Sequence, residues 1–110
     1  MDILKPSRFD DAAMLYPNDR AGLCRCLRLL KMARPAEFAD LQKIFGTQGI
    51  DLFKPRAAMN WVVIDVGGNS LRVIGAVNYA RQKFYVKRIY THADYDVANL
   101  WYAKNKGVRR

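Results

Sequence analysis

Four side chains in the C-terminal half of the chain could together act on a phosphodiester: Arg72, Arg88, His92 and Tyr95. The fixed fork of an arginine can hold two phosphate oxygens and stabilise charge on a pentacovalent phosphate. Histidine is the side chain whose unperturbed pKa suits proton transfer at neutral pH, and tyrosine can exchange a hydrogen bond or stack on a base. RNA is therefore the first substrate to consider, and on RNA these residue types would suit cleavage in which the substrate's own 2′-hydroxyl is the nucleophile and a 2′,3′-cyclic phosphate remains.

A second set of polar side chains, interleaved with the first in sequence, could bind the RNA backbone: Asn69, Arg81, Lys83 and Lys87. Lysine and arginine neutralise the full negative charge that each phosphate carries. For every cation in both sets a purely structural role is the alternative, because charged residues on strands and turns are usually solvated. No cofactor is predicted. Cys24 and Cys26 lie two apart on a predicted helix without a nearby histidine, so they form neither a disulfide nor a zinc site.

The distribution of charge also points to a polyanionic partner. The chain has 19 basic and 10 acidic residues, a net charge of +9. Residues 1–53 hold eight Lys or Arg against seven Asp or Glu, whereas residues 54–110 hold eleven against three. The C-terminal half therefore has most of the positive field, which favours nucleic acid, an acidic protein or an anionic membrane surface as the partner.

Length and segment composition limit the class of protein. A chain of 110 residues is long enough for one hydrophobic core, so a single domain over residues 1–110 is expected. No run of 18 apolar residues could span a bilayer, and the N-terminus lacks the pattern of a secretory signal. With two unpaired cysteines, the sequence favours the cytoplasm.

The first half of the chain has helical periodicity. A short edge strand is expected at residues 3–5, and Ser7 resembles the cap of a helix that Pro17 ends. A second helix is predicted from Asp19 to about residue 33, and a third from Pro35 to the positive-φ position offered by Gly46. Residues 46–60 have no clear period and are predicted to be a connecting loop.

The second half changes to the period of two that is typical of strands. Strands are predicted at residues 61–66 and 71–79, joined by a tight hairpin at Gly67-Gly68-Asn69, and a third at residues 84–92. Alternation in this third strand places Arg88, Tyr90 and His92 on one face and Lys87 on the other. The predicted class is α+β, with N-terminal helices packed on a small twisted antiparallel sheet of three or four strands.

Two segments carry a resemblance to a known family. The sequence VIDVGGNSLRVI at residues 63–74, followed by VNY at 77–79 and YTHADYD at 90–96, resembles the HigB family of bacterial toxins. The resemblance implies a RelE-like fold, an mRNA-cleaving activity exerted on ribosome-bound message, and neutralisation by a HigA-type antitoxin. The family commonly has Asn where this chain has Asp65, and Lys or another polar residue where it has Ser70. The acidic Asp65 is therefore expected to weaken phosphate binding locally.

Two other functions remain open from the sequence. A non-catalytic module could use the same basic face to bind RNA or an acidic protein, in which case message would stay intact. A DNA-binding repressor is favoured less, because no helix-turn-helix with a basic recognition helix is evident. If the chain is an enzyme, Arg72 is expected to be a surface arginine whose loss affects activity more than stability.

Overall fold

A mixed sheet forms the centre of the fold. In residues 1–68 and 70–105, which the computed structural model describes, five strands are present: β1 Asp2–Leu4, β2 Ile50–Leu52, β3 Trp61–Val66, β4 Leu71–Asn78 and β5 Lys83–Thr91. Their order in the sheet is β1-β5-β4-β3-β2. The pairing of β1 with β5 is parallel and the other pairs are antiparallel. The predicted α+β class is confirmed, although the sheet has more strands than expected and is not wholly antiparallel.

Four α-helices accompany the sheet in the part of the chain that the structure describes: α1 Ser7–Leu15, α2 Arg20–Met32, α3 Phe38–Phe45 and α4 His92–Lys104. Two 3-10 segments are also present in these ranges: Pro17–Asp19 joins α1 to α2, and Lys54–Met59 joins β2 to β3. None of the helices within these described ranges is long and apolar enough to cross a membrane.

Two predictions about helix starts were wrong. Ser7 does not cap α1, because the helical geometry already begins at Pro6 and Ser7 lies within the first turn. The helix predicted from Pro35 starts only at Phe38, since the backbone of Glu37 is extended. The carboxylate of Asp40 accepts a 2.8 Å hydrogen bond from the Ala36 amide, which stabilises this non-helical entry.

The predicted hairpin between β3 and β4 is confirmed. Gly67 and Gly68 have φ angles of 65° and 60°, which L side chains rarely adopt. The turn also packs against the start of α2, because a Cβ atom on Gly67 would collide with the Asp19 carboxylate. The hairpin is therefore fixed both by its own backbone and by a helix from the N-terminal half.

Each face of the sheet has its own core. One face packs on α1, α2 and α3 around Leu23, Leu30, Leu41, Val73 and Phe84. The other, which we call the α4 face, is covered by α4 and the 3-10 helix Lys54–Met59 around Phe53, Trp61, Val63, Ile74, Ala98 and Tyr102. The prediction of a loop over residues 46–60 was wrong, because this segment contains β2 and that 3-10 helix.

Arg56 joins the 3-10 helix to the end of α4. Its side chain is buried and donates hydrogen bonds to the carbonyl oxygens of Tyr102 at 3.4 Å and Asn105 at 2.9 Å. The guanidinium also lies over the Tyr102 ring, 5.1 Å from its centre. A cation at the carbonyl end of a helix is favourable both as a donor and through the helix dipole. Arg56 thus anchors α4 on the sheet, a role that no sequence pattern had indicated.

Candidate functional site

Strand register places a row of polar side chains on the α4 face near the β3–β4 hairpin. Asp65 of β3 lies opposite Arg72 of β4, and Arg72 lies opposite Tyr90 of β5. Residues directly opposite each other in antiparallel strands project from the same face. Leu71 and Val73 belong to the other core, so the predicted alternation of Arg72 away from these neighbours is confirmed.

Arg72 is more enclosed than expected. Its guanidinium forms an ion pair with the Asp65 carboxylate, and its Cζ atom lies 5.5 Å from the centre of the Tyr95 ring. Only 13% of the Arg72 side chain is exposed, so the prediction of a surface arginine was wrong. The reason is that α4, which the sequence pattern did not reveal, covers this end of the face. A phosphate at Arg72 must share the guanidinium with Asp65.

Tyr95 forms the lid over Arg72. It projects from the second turn of α4, and its hydroxyl oxygen accepts a 3.1 Å hydrogen bond from the side chain of Asn99. Burial raises the pKa of Tyr95 above its ordinary value, an effect that the Asn99 hydrogen bond and the nearby Arg72 charge only partly offset. The phenol therefore keeps its proton at neutral pH and can donate it in a hydrogen bond.

His92 is placed differently from the prediction. The sequence alternation put it at the end of β5, but it is the first residue of α4, where the Thr91 hydroxyl accepts a 3.2 Å hydrogen bond from the Asp94 amide. The cap matters because it turns the chain out of the sheet one residue before His92. The imidazole is 57% exposed, and its Nδ1 atom lies 3.9 Å from an Asp96 carboxylate oxygen.

The helix nevertheless keeps His92 close to Tyr95. The two residues are three apart in α4, and side chains at this spacing are neighbours on a helix surface, with Cβ atoms about 5–6 Å apart. We call Asp65, Arg72, His92 and Tyr95 the Arg72 cluster. It combines an arginine, a protonated phenol and an accessible imidazole at one end of the sheet, groups that can stabilise charge on a phosphate, donate a proton and accept one.

Arg88 lies beside this cluster at the edge of the sheet. It pairs with Ile74 in register and is therefore the diagonal neighbour of Arg72 on the α4 face, with Cβ atoms about 7–8 Å apart. Its guanidinium donates a 2.8 Å hydrogen bond to the Lys87 carbonyl, and it lines a groove with Asp11 and Leu15 of α1. The side chain therefore turns at the edge of the sheet toward α1, and these contacts do not join it to the Arg72 cluster.

A β-bulge places Lys87 and Arg88 on the same face. The register shifts between Ile74 and Gly75, which lie opposite Arg88 and Val86, so Lys87 is the extra residue in β5. Its Nζ atom lies 5.2 Å from the centre of the Trp61 ring, which places it on the α4 face. The prediction that Lys87 and Arg88 project from opposite faces was therefore wrong.

The other expected RNA-binding residues are not brought to the Arg72 cluster. Lys83 begins β5 at the far end of the sheet, and Arg81 lies in the β4–β5 turn, where its amide donates a 3.0 Å hydrogen bond to the Asn78 side chain. Asn69 lies outside the described residues. Within the residues that are described, no group of three or more His, Cys, Asp or Glu side chains could hold a metal ion.

Comparison with known proteins identifies the family. The model of the HigB toxin family, described as the RelE-like toxic component of a toxin-antitoxin system, matches residues 20–98. The chain belongs to the HigB toxin family. All four residues of the Arg72 cluster lie inside the matched segment, and the fold agrees with that of RelE-like toxins. The resemblance seen in the sequence is confirmed, and it extends well into the helical half.

Individual relatives of this HigB-family chain cover almost all of it. An mRNA interferase HigB of Escherichia coli O6:H1 is 37% identical over 106 residues, which are 96% of this chain and 99% of the relative. The mRNA interferase toxin HigB of Escherichia coli K12 and the mRNA interferase HigB of Shigella flexneri are each 29% identical over 96 residues, or 87% of this chain and 88% of each relative. The match therefore includes α4 as well as the sheet.

Proposed function

We propose that this HigB-family toxin is an endoribonuclease that cleaves mRNA on the ribosome in the cytoplasm and that a HigA-type antitoxin neutralises it. The single structural observation that supports cleavage is the Arg72 guanidinium 5.5 Å beneath the Tyr95 ring, with His92 one turn of α4 away. The relatives named mRNA interferases support the same substrate.

In this proposal the arginines bind the phosphate that is cleaved. Arg72 stabilises charge on the pentacovalent phosphate, and Arg88, its diagonal neighbour in register, must rotate away from the α1 groove to reach the same group. Asp65 orients the Arg72 fork through their ion pair and offsets part of its charge. Substrate binding therefore also depends on contacts outside the cluster, as is common when remote binding energy orients the reacting group.

The proton transfers are assigned to His92 and Tyr95. The imidazole of His92 takes the proton of the 2′-hydroxyl while the 2′-oxygen bonds to phosphorus. The bond from phosphorus to the 5′-oxygen breaks, and the departing oxygen, a far stronger base than a phenolate, takes the Tyr95 proton. The products are a 2′,3′-cyclic phosphate and a 5′-hydroxyl. Tyr95 is protonated at neutral pH and can donate, although its raised pKa makes it a weaker acid than an exposed phenol.

The test uses purified toxin, freed of antitoxin, added to a translating extract. Wild-type protein is expected to yield message fragments that end in a cyclic phosphate. The Arg72→Gln and His92→Gln variants are expected to yield no such fragments. Arg28→Gln, an exposed arginine of α2, removes the same charge away from the α4 face and serves as the matched control. The role of the ribosome is tested by comparing cleavage of ribosome-bound and free message, and only the bound message should be cut. The role of the antitoxin is tested by adding the product of a neighbouring helix-turn-helix gene, which should suppress cleavage.

Three results would contradict the proposal. Message that stays intact with wild-type protein, together with salt-sensitive RNA retention, would instead support the non-catalytic module. Undiminished cleavage by His92→Gln would rule out its role in proton transfer. An Arg72→Gln protein that loses melting temperature and cleavage in equal measure would show that Arg72 acts through the fold, which its ion pair with Asp65 makes a necessary check.

A further inference from the structure

A groove at the other end of the α4 face has the chemistry of a nucleotide subsite. It has a volume of about 520 Å³ and lies beside the β4–β5 turn, away from the Arg72 cluster. Among the side chains that line it are Met59, Asn60, Trp61, Asn78, Tyr85 and Lys87. We call it the Tyr85 groove. Aromatic rings, neutral amides and a cation in one groove are the groups that bind single-stranded RNA.

Tyr85 and Lys87 give the groove a stacking surface with a cation beside it. The Lys87 Nζ atom lies between two rings, 5.2 Å from the centre of Trp61 and 5.4 Å from the centre of Tyr85. Trp61 is buried, whereas Tyr85 is 43% exposed. Tyr85 and Lys87 are two residues apart in β5, so the alternation of a strand places both on this face.

We propose that the Tyr85 groove stacks one base of the substrate on Tyr85 and pairs an adjacent phosphate with Lys87. The inference rests on the proposed function, since it makes the groove a second subsite for the same RNA strand. Lys83 is a weaker phosphate ligand, because Asp2 of β1 lies directly opposite it in the sheet. Asn78 lines the groove with its side-chain oxygen held by the Arg81 amide, which fixes its orientation toward a base edge.

The separation of the two sites fits a short stretch of single-stranded RNA. Tyr85 and Tyr90 mark the two ends on the same face of β5, five residues apart, or about 16 Å along a strand. Stacked bases rise about 3.4 Å per nucleotide, so the base on Tyr85 is at most about five nucleotides from the cleaved linkage. Lys87 lies between the two ends, half-buried and cationic, on the face that the RNA backbone would follow.

The subsite is tested by binding, independently of cleavage. The probes are two oligoribonucleotides with a 2′-deoxy sugar at the mapped cleavage position: a short one, and one extended by five nucleotides on either side. Wild-type protein is expected to bind the extended probe about tenfold more tightly, as one stacked base contributes roughly that much. Tyr85→Ala should lose this gain in affinity, whereas its affinity for the short probe should equal that of wild type. Tyr85→Phe, which retains the ring, should keep it.

A second variant and a positional probe complete the experiment. Lys87→Gln should reduce the gain from extension, and Lys43→Gln, an exposed lysine of α3, should not. In the extended probe, 2-aminopurine should be quenched by wild-type protein at one position within five nucleotides of the cleavage position, and not by Tyr85→Ala. If extension of the probe increases affinity equally for wild type, Tyr85→Ala and Lys87→Gln, the proposed subsite is wrong even if message is cleaved. If message is left intact but extension of the probe still increases affinity, the proposal of nuclease activity is overturned and the groove remains an RNA-binding site.

Discussion

Replacing Asp65 by asparagine separates the two roles proposed for Arg72, ion-pair partner and phosphate ligand. Asp65 and Arg72 lie opposite each other in β3 and β4, and their side chains form an ion pair on the α4 face. An RNA phosphate held by Arg72 would face the Asp65 carboxylate across the guanidinium. We expect Asp65→Asn to bind RNA more tightly, because an amide oxygen still accepts the arginine's hydrogen bond but carries no negative charge.

The size of the effect follows from Coulomb's law. For a phosphate about 6 Å from the carboxylate, an effective dielectric constant of about 20 gives about 2.8 kcal/mol of repulsion. Screening with a Debye length of about 8 Å at physiological salt leaves about 1.3 kcal/mol, or roughly a tenfold change in affinity. The free energy of unfolding should fall by about 1 kcal/mol, because the pair is only partly exposed, 13% for Arg72 and 28% for Asp65, and the asparagine replaces a charged hydrogen-bond acceptor by a neutral one.

The assay is equilibrium binding of the short 2′-deoxy probe at low and physiological salt, with melting temperature measured in parallel. Asp10→Asn, an exposed carboxylate of α1, is the control, because it changes the net charge equally on the other side of the sheet. Asp65→Asn should gain about tenfold in affinity over this control at physiological salt, and more at low salt. If both variants bind the probe equally and Asp65→Asn keeps its melting temperature, Arg72 does not contact phosphate.

Three further predictions concern single groups elsewhere in the structure. Burial raises the pKa of the Cys26 thiol to about 12, so native protein should react with a thiol reagent only at the exposed Cys24, and unfolded protein at both; fast labelling of both thiols in the native state would contradict this. Burial also raises the pKa of Tyr95, so its contribution to stability should be complete below the unfolded value of about 10 and be lost as pH rises through the higher folded value. Alkaline unfolding titrations of wild type and Tyr95→Phe check this, and identical curves would refute it. A Cβ atom on Gly75 would collide with the buried ring of Phe84, so Gly75→Ala should lower the free energy of unfolding in urea by about 1–3 kcal/mol; an unchanged value would show that the ring can move.

The sequence by itself determined the elements whose signals are local. Gly67 and Gly68 specify the hairpin because few other residues tolerate its backbone angles, and Pro17 and Gly46 end α1 and α3 where expected. The excess of basic residues after position 53 predicted a polyanionic partner. The segments at 63–74, 77–79 and 90–96 carried the resemblance to the HigB family, which the comparison confirmed.

Only the tertiary structure decided how the chemical groups meet. The alternation in β5 had predicted that His92 lies in the sheet, but the Thr91 cap starts α4 at that residue. The buried residues given for this helix, Ala98 and Tyr102, are too few to produce an amphipathic pattern in the sequence. That helix encloses Arg72 beneath Tyr95. Cross-strand register pairs Arg72 with Asp65, and the bulge lets the consecutive residues Lys87 and Arg88 project from one face. Register, bulges and helix docking depend on residues far apart in the chain, and so the periodicity of any one segment cannot specify them.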